Sequence, residues 1–154
     1  MPDSNIQKLK QKTYLQMIKN SEGTKLFKSY FMEDKNRKRI VDIYKNGRLS
    51  CAAFVTSILY LNGLIDAPHA TVKKTREKMI QFGWKKIDNK NMKPSDVIIW
   101  EKMKINHGTE NKHIGFVLNK NQAISNSHQK RQIVKHHITY NNKRKIKEVF
   151  RFNF

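Results

Sequence analysis

Ser50-Cys51-Ala52-Ala53-Phe54-Val55-Thr56-Ser57-Ile58-Leu59-Tyr60-Leu61-Asn62 is the most apolar run in the chain, and Gly63 follows it. Thirteen residues are long for a strand, and a glycine just past an apolar run is the usual residue in a left-handed helix stop. The run therefore predicts a buried helix that begins near Cys51. Everything else in the sequence is organised around where that helix must dock.

Upstream, residues 5–20 predict a helix. Ser4 and Gln7 form a capping box, and Ile6, Leu9, Met17 and Ile18 give a partial apolar stripe, with Gly23 as the stop. Residues 25–33 (KLFKSYFME) fit either helix or strand, and the basic run Lys35 to Arg39 reads as a solvated turn. Downstream, residues 71–82 (TVKKTREKMIQF) predict a second helix, capped by Thr71 and ended by Gly83. The second half changes character. WKKI (84–87), DVIIW (96–100), HIGFVL (113–118), QAIS (122–125), QIVKHHITY (132–140) and KEVFRF (147–152) are short β-branched or aromatic runs. Asn, Pro and Gly residues separate them. Helices first and strands later predict an α+β domain with an antiparallel sheet. The length of 154 residues fits one domain, with residues 1–40 as a helical or irregular lead-in and 41–154 as the core.

The chain carries 32 Lys and Arg against 12 Asp and Glu, a net charge of +20. Such a surface attracts polyanions: nucleic acid, an anionic membrane or a cell-wall polymer. Lysine outnumbers arginine, and Asn and Ile are plentiful, a composition that an AT-rich genome also produces; arginine is the usual reader of phosphate and guanine. One cysteine excludes an internal disulfide and a thiolate zinc site, and no metal or cofactor is expected. No run has the length of a membrane span, and the first sixteen residues have no apolar segment of a secretion signal. These features predict a cytoplasmic protein, with export by another route left open.

The position of Cys51 has a chemical use. Free backbone N–H groups and the helix dipole favour negative charge at a helix start, which lowers a thiol pKa and stabilises an oxyanion. A buried structural cysteine is the competing reading. His113 opens an apolar strand, from where it can accept a thiol proton. A third polar group usually orients such a histidine. If residues 113–118 and 122–125 form a hairpin, the end of the second strand returns near His113. Ser125 and Asn126 then point to opposite faces, so one of them faces the site; His128 reaches it only if the chain bends. Asp96 reads as a cap for the turn before its strand, and Trp84 and Trp100 as core or groove wall. His107 and Gly108 fit a groove rim, and nothing ties His136 or His137 to the site.

LSCAAFVTSILYLNGLI, KPSDVIIWE and HIGFVLNKNQAIS, in this order, resemble the NlpC-type cysteine peptidases over residues 44–128. The family motif Asp-Cys-Ser-Gly-Phe-Val is matched by Ser50, Cys51, Ala52, Ala53, Phe54 and Val55. A Pro-Gly-Asp turn is matched by Pro94, Ser95 and Asp96, and a His-hydrophobic-Gly pattern by His113, Ile114 and Gly115. The resemblance implies a papain-like fold and amide hydrolysis through an acyl-enzyme, commonly of peptidoglycan stem peptides. It implies Cys51 as nucleophile, His113 as base and Ser125 as third residue, with Asn126 or His128 as substitutes, and Tyr44 at the pocket; Trp100, as groove wall, is the other pocket candidate. Three departures stand out: Ser50 replaces an acidic residue, Ala52-Ala53 lacks the usual glycine, and Ser125 replaces His, Asn or Gln. They imply a divergent member with altered substrate or weaker activity. A non-catalytic basic module that holds nucleic acid or another polyanion is the alternative, and a thiol acyltransferase acting on lipid a further one.

Overall fold

The computed structural model describes residues 9–105 and 109–154. The proposed capping box of Ser4 and Gln7, Ile6, and the rim residues His107 and Gly108 lie outside them. The described chain is α+β: helices α1 (Lys10–Asn20), α2 (Cys51–Leu61) and α3 (Val72–Gln81) accompany eight strands. A separate hairpin joins β1 (Phe31–Asp34) to β2 (Arg39–Asp42). The remaining strands are β3 (Lys85–Ile87), β4 (Val97–Ile105), β5 (Thr109–Val117), β6 (Gln122–Ser127), β7 (Gln132–His137) and β8 (Ile146–Arg151). They form one antiparallel sheet in the order β3-β8-β4-β5-β6-β7.

The α2 run is a helix because both its ends and its faces allow it. Ala52 to Thr56, Ile58 and Leu59 are buried, so the helix is apolar nearly all round. At its end, Gly63 takes φ 68°, its N–H reaches the Tyr60 carbonyl at 2.9 Å, and the Leu64 N–H reaches the Leu59 carbonyl at 2.9 Å. This paired closure needs a left-handed residue, which glycine supplies without a Cβ clash. The same closure ends α3, where Gly83 and Trp84 donate to Ile80 and Met79. Thr71 caps α3 by accepting from the Lys74 N–H at 3.2 Å. Among the described residues the first helix begins at Lys10, with Leu9 at its cap position and no side-chain cap; residues 5–8 of the expected helix lie outside them.

Helix α2 lies across β5 and β6. Phe54, Val55, Ile58 and Leu59 pack there with Ile114, Phe116 and Ile124, while Trp100, Val117, Ala123 and Ile138 fill the opposite face of the sheet. Alternation along β5 thus sends Ile114 and Phe116 towards α2. Asp96 does more than cap its turn. Its Oδ2 accepts from the Lys93 N–H at 2.7 Å, and its two oxygens take a fork from Arg151 at 2.8 and 2.7 Å. With a side chain 3% exposed, this carboxylate is held by its partner. The strand expected at 132–140 ends at His137, where the chain turns.

Candidate active site

The ladder between β5 and β6 runs over Gly115↔Ser125, Phe116↔Ile124 and Val117↔Ala123. It stops there. Asn126 and Ser127 pair only with β7, so β5 and β6 part at the level of His113. The loop that leads into α2 fills this parting. Asn126 Nδ2 donates to the Gly47 carbonyl at 2.7 Å, and His128 Nδ1 lies 3.3 Å from the Arg48 carbonyl. Two side chains at the end of β6 therefore fix where Cys51 begins its helix. Gly47 takes φ 83° to make that approach.

Cys51 is partly buried, and the backbone N–H of Ile114 is directed at its sulfur. That N–H belongs to the peptide linking His113 to Ile114, so the sulfur sits against the backbone of His113. Cys51 and His113 border one open cleft of about 1060 Å³. No hydrogen bond joins the two side chains among the described contacts; their relation is shared access to the cleft. Ser50 makes no side-chain cap to α2, which leaves the first amides of the helix without one.

The His113 ring is fixed from behind. Its Nε2 lies 2.8 Å from Ser125 Oγ. Its plane lies over Trp100, with ring centroids 5.3 Å apart. Ser125 is buried, and the same Oγ lies 2.8 Å from His136 Nε2 and 3.2 Å from Tyr140 OH. Tyr140 stacks on His136 at 4.0 Å between centroids. It takes φ 51°, a left-handed backbone that aromatic residues seldom adopt and that strain theory associates with functional sites. Gly115 has a specific reason to be glycine. A Cβ there would meet the Ile124 carbonyl oxygen at 2.6 Å, Ser125 Cβ at 2.7 Å and the Trp100 ring at 3.1 Å. Nothing larger fits between β5, Ser125 and the Trp100 ring.

Electrostatics keep the pair neutral at rest. Burial pushes the Cys51 thiol up, while the N–H groups of Ile114 and Ala52 and the Arg144 guanidinium act against it. The helix start thus supplies the stabilisation expected from the sequence, but burial outweighs it. Burial also holds His113 well below the ordinary histidine value, and the charges of Arg144, His136 and His128 add to it. Arg144 is itself held in the cleft wall, donating to the carbonyls of Glu101 at 3.0 Å and Asn111 at 2.9 Å. Seven Lys or Arg residues, among them Arg48, Lys73, Lys112 and Arg144, border the cleft, with no carboxylate among the described lining residues.

Of the three candidates for the third position, only Ser125 touches His113. Asn126 and His128 hold the α2 lead-in instead. Two expectations are corrected. Tyr44 is buried beside Tyr30, at 5.5 Å between rings, and does not line the cleft. Trp100 is fully buried beneath the His113 ring, with its Nε1 donating to the Ile138 carbonyl at 2.7 Å; it is the floor under the site, not its wall. Conversely, His136, Tyr140 and Arg144 belong to the site without a local sequence signal. The β6–β7 register, which sets Ala123 against His136 and Ser125 against Val134, would have placed His136 on the Ser125 face. Among the described residues no group of three His, Cys, Asp or Glu could hold a metal, and no helix is long and apolar enough to cross a membrane. Compared with models of known protein families and with the sequences of curated proteins, the chain matches none.

Proposed function

We propose that the chain is a thiol hydrolase of papain-like architecture that cleaves an amide bond through an acyl-enzyme on Cys51. The observation that carries this is the pairing of two features at one cleft. A cysteine starts an uncapped, buried helix, and a histidine beside it has one ring nitrogen tied to Ser125. The other nitrogen, Nδ1, makes no hydrogen bond among the described residues.

In this reading Cys51 Sγ attacks the substrate carbonyl carbon while its proton passes to His113 Nδ1. Both groups rest neutral, so proton transfer accompanies attack and does not precede it. The oxyanion forms against the free N–H groups at the start of α2. Collapse breaks the C–N bond, and the imidazolium returns its proton to the departing amine. Water then attacks the thioester, again with His113 as base, and releases the acid and the free thiol. The resemblance to NlpC-type peptidases makes a peptidoglycan-type peptide the first substrate class to offer, and the cationic cleft suits an acyl or leaving group that bears carboxylates.

The alternative is a non-catalytic module that uses the same basic cleft to hold nucleic acid or another polyanion. Wall-peptide fragments incubated with the wild type, Cys51→Ala and His113→Ala separate the two. Product formation lost in both variants supports the hydrolase. No product from any fragment, with salt-sensitive polyanion binding intact in Cys51→Ala, supports the module.

A further inference from the structure

We propose that His136 is a positioning residue for His113: acting through Ser125, it holds the His113 ring in the tautomer that leaves Nδ1 unprotonated. The consequence for rate rests on the hydrolase reading, whereas the tautomer itself does not.

The direction of each hydrogen bond follows from the one before it. His136 Nδ1 lies 2.9 Å from the His137 carbonyl oxygen. A carbonyl only accepts, so Nδ1 carries a proton. Burial holds His136 below the ordinary histidine value, which keeps its ring neutral at neutral pH. Its Nε2 therefore offers a lone pair, and the Ser125 hydroxyl, 2.8 Å away, donates to it. A serine has one proton. With that proton committed, Ser125 Oγ accepts from both of its other neighbours. Tyr140 donates, since burial pushes its hydroxyl up to about 12 and keeps it protonated. His113 donates through Nε2. A neutral imidazole has one N–H, so Nδ1 of His113 is the basic nitrogen. When Nδ1 takes a proton, no bond in the chain reverses.

Without His136 this order is lost. The Ser125 proton is then free to turn towards His113 Nε2, which drives the ring proton to Nδ1 and removes the base. A gallery of neutral groups thus does by hydrogen-bond order what a carboxylate does by charge, which accounts for a serine at a position where His, Asn or Gln is usual.

The test is imidazole nitrogen NMR on the full chain, together with the rate of Cys51 alkylation by iodoacetamide at pH 7.5. The wild type should show neutral His113 protonated at Nε2. His136→Phe keeps the ring volume and removes the acceptor; it should shift His113 towards the Nδ1–H form and slow alkylation roughly tenfold. His136→Gln, whose amide oxygen can accept from Ser125, should keep the wild-type tautomer and alkylate within about twofold of it. Ser125→Ala should lose the tautomer preference as His136→Phe does, and decides the matter if His136→Phe does not fold. A wild-type His113 protonated at Nδ1, or a tautomer unchanged in both His136→Phe and Ser125→Ala, overturns the proposal. Tautomer shifts as described in a chain that never forms an acyl-enzyme would retire the hydrolase reading and leave the positioning role of His136 standing.

Discussion

Ser125 Oγ stands 2.8 Å from His113 Nε2, on the last residue pair that β5 and β6 share before they separate. The strand pairing that orients the His113 ring is thus the same pairing whose end opens the cleft. Removing the hydroxyl uncouples the two. Ser125→Ala should lower acyl-enzyme formation by about 10-fold or more, and should destabilise the fold by about 1–3 kcal/mol by leaving the buried partners of Oγ unpaired. Parallel measurements of acylation rate and urea midpoint check this; an unchanged rate would remove Ser125 from the machinery.

Gly115 is the spacer that lets this contact form. Because two of the three atoms facing an added Cβ lie under 2.8 Å and one is a backbone oxygen, relief requires β5 to move away from β6. Gly115→Ala should cost about 1–3 kcal/mol and should lower activity per folded molecule, since His113 moves with the strand. Thermal unfolding of the variant at wild-type stability would show that the strand gives way freely.

The Asp96–Arg151 fork serves the fold at a distance from the cleft. Arg151→Met leaves a buried carboxylate with one backbone partner and should cost about 3 kcal/mol. The folded fraction should retain wild-type reactivity at Cys51. Comparing urea midpoints with alkylation rates under native conditions separates the two effects, and a loss of reactivity without loss of stability would contradict this division.

Acid should loosen the site before it unfolds the rest. His113 and His136 both have folded-state values depressed by burial. A depressed histidine binds its proton more readily when unfolded, so its neutral-form stability is present above the unfolded value of about 6.5 and is lost as pH falls below it. Asp42 and Glu148, held low mainly by the Tyr30 N–H and by Arg76 respectively, lose their contributions only further down, below their own unfolded values near 4. Urea midpoints should therefore begin to fall between pH 6.5 and 5. A midpoint flat across that window in the wild type, or one that falls equally in His113→Phe with His136→Phe, contradicts it.

Much of this was legible in the sequence where burial imprints a period. Helix α2, helix α3 with its Thr71 cap and both glycine stops follow from apolar runs and turn residues. The strands of the main sheet follow from β-branched clusters. Residues 25–33 resisted reading because the β1–β2 hairpin is exposed on both sides: Phe31 is 69% exposed and its neighbour Met32 52%, so no alternation marks the strand. Within the site, Cys51, His113 and Ser125 lie on elements whose pattern is local. Tyr44 misled because it lies outside the strands, packed against Tyr30, and Trp100 because it shares the His113 face of the sheet yet is buried beneath that ring. His136, Tyr140 and Arg144 arrive through the β6–β7 register, a left-handed backbone at Tyr140 and a cross-sheet reach to Glu101 and Asn111, none of which a single segment encodes.

Acyl transfer to Cys51 from an activated ester, followed by intact-protein mass at neutral pH, tests the central claim without a known substrate. The wild type should gain one acyl group on Cys51 and lose it again to water. Cys51→Ala should gain none at that residue, and His113→Ala should acylate at least about 100-fold more slowly, the scale of a lost general base. Acylation of His113→Ala at the wild-type rate, or a wild-type Cys51 that stays unmodified, would contradict the account.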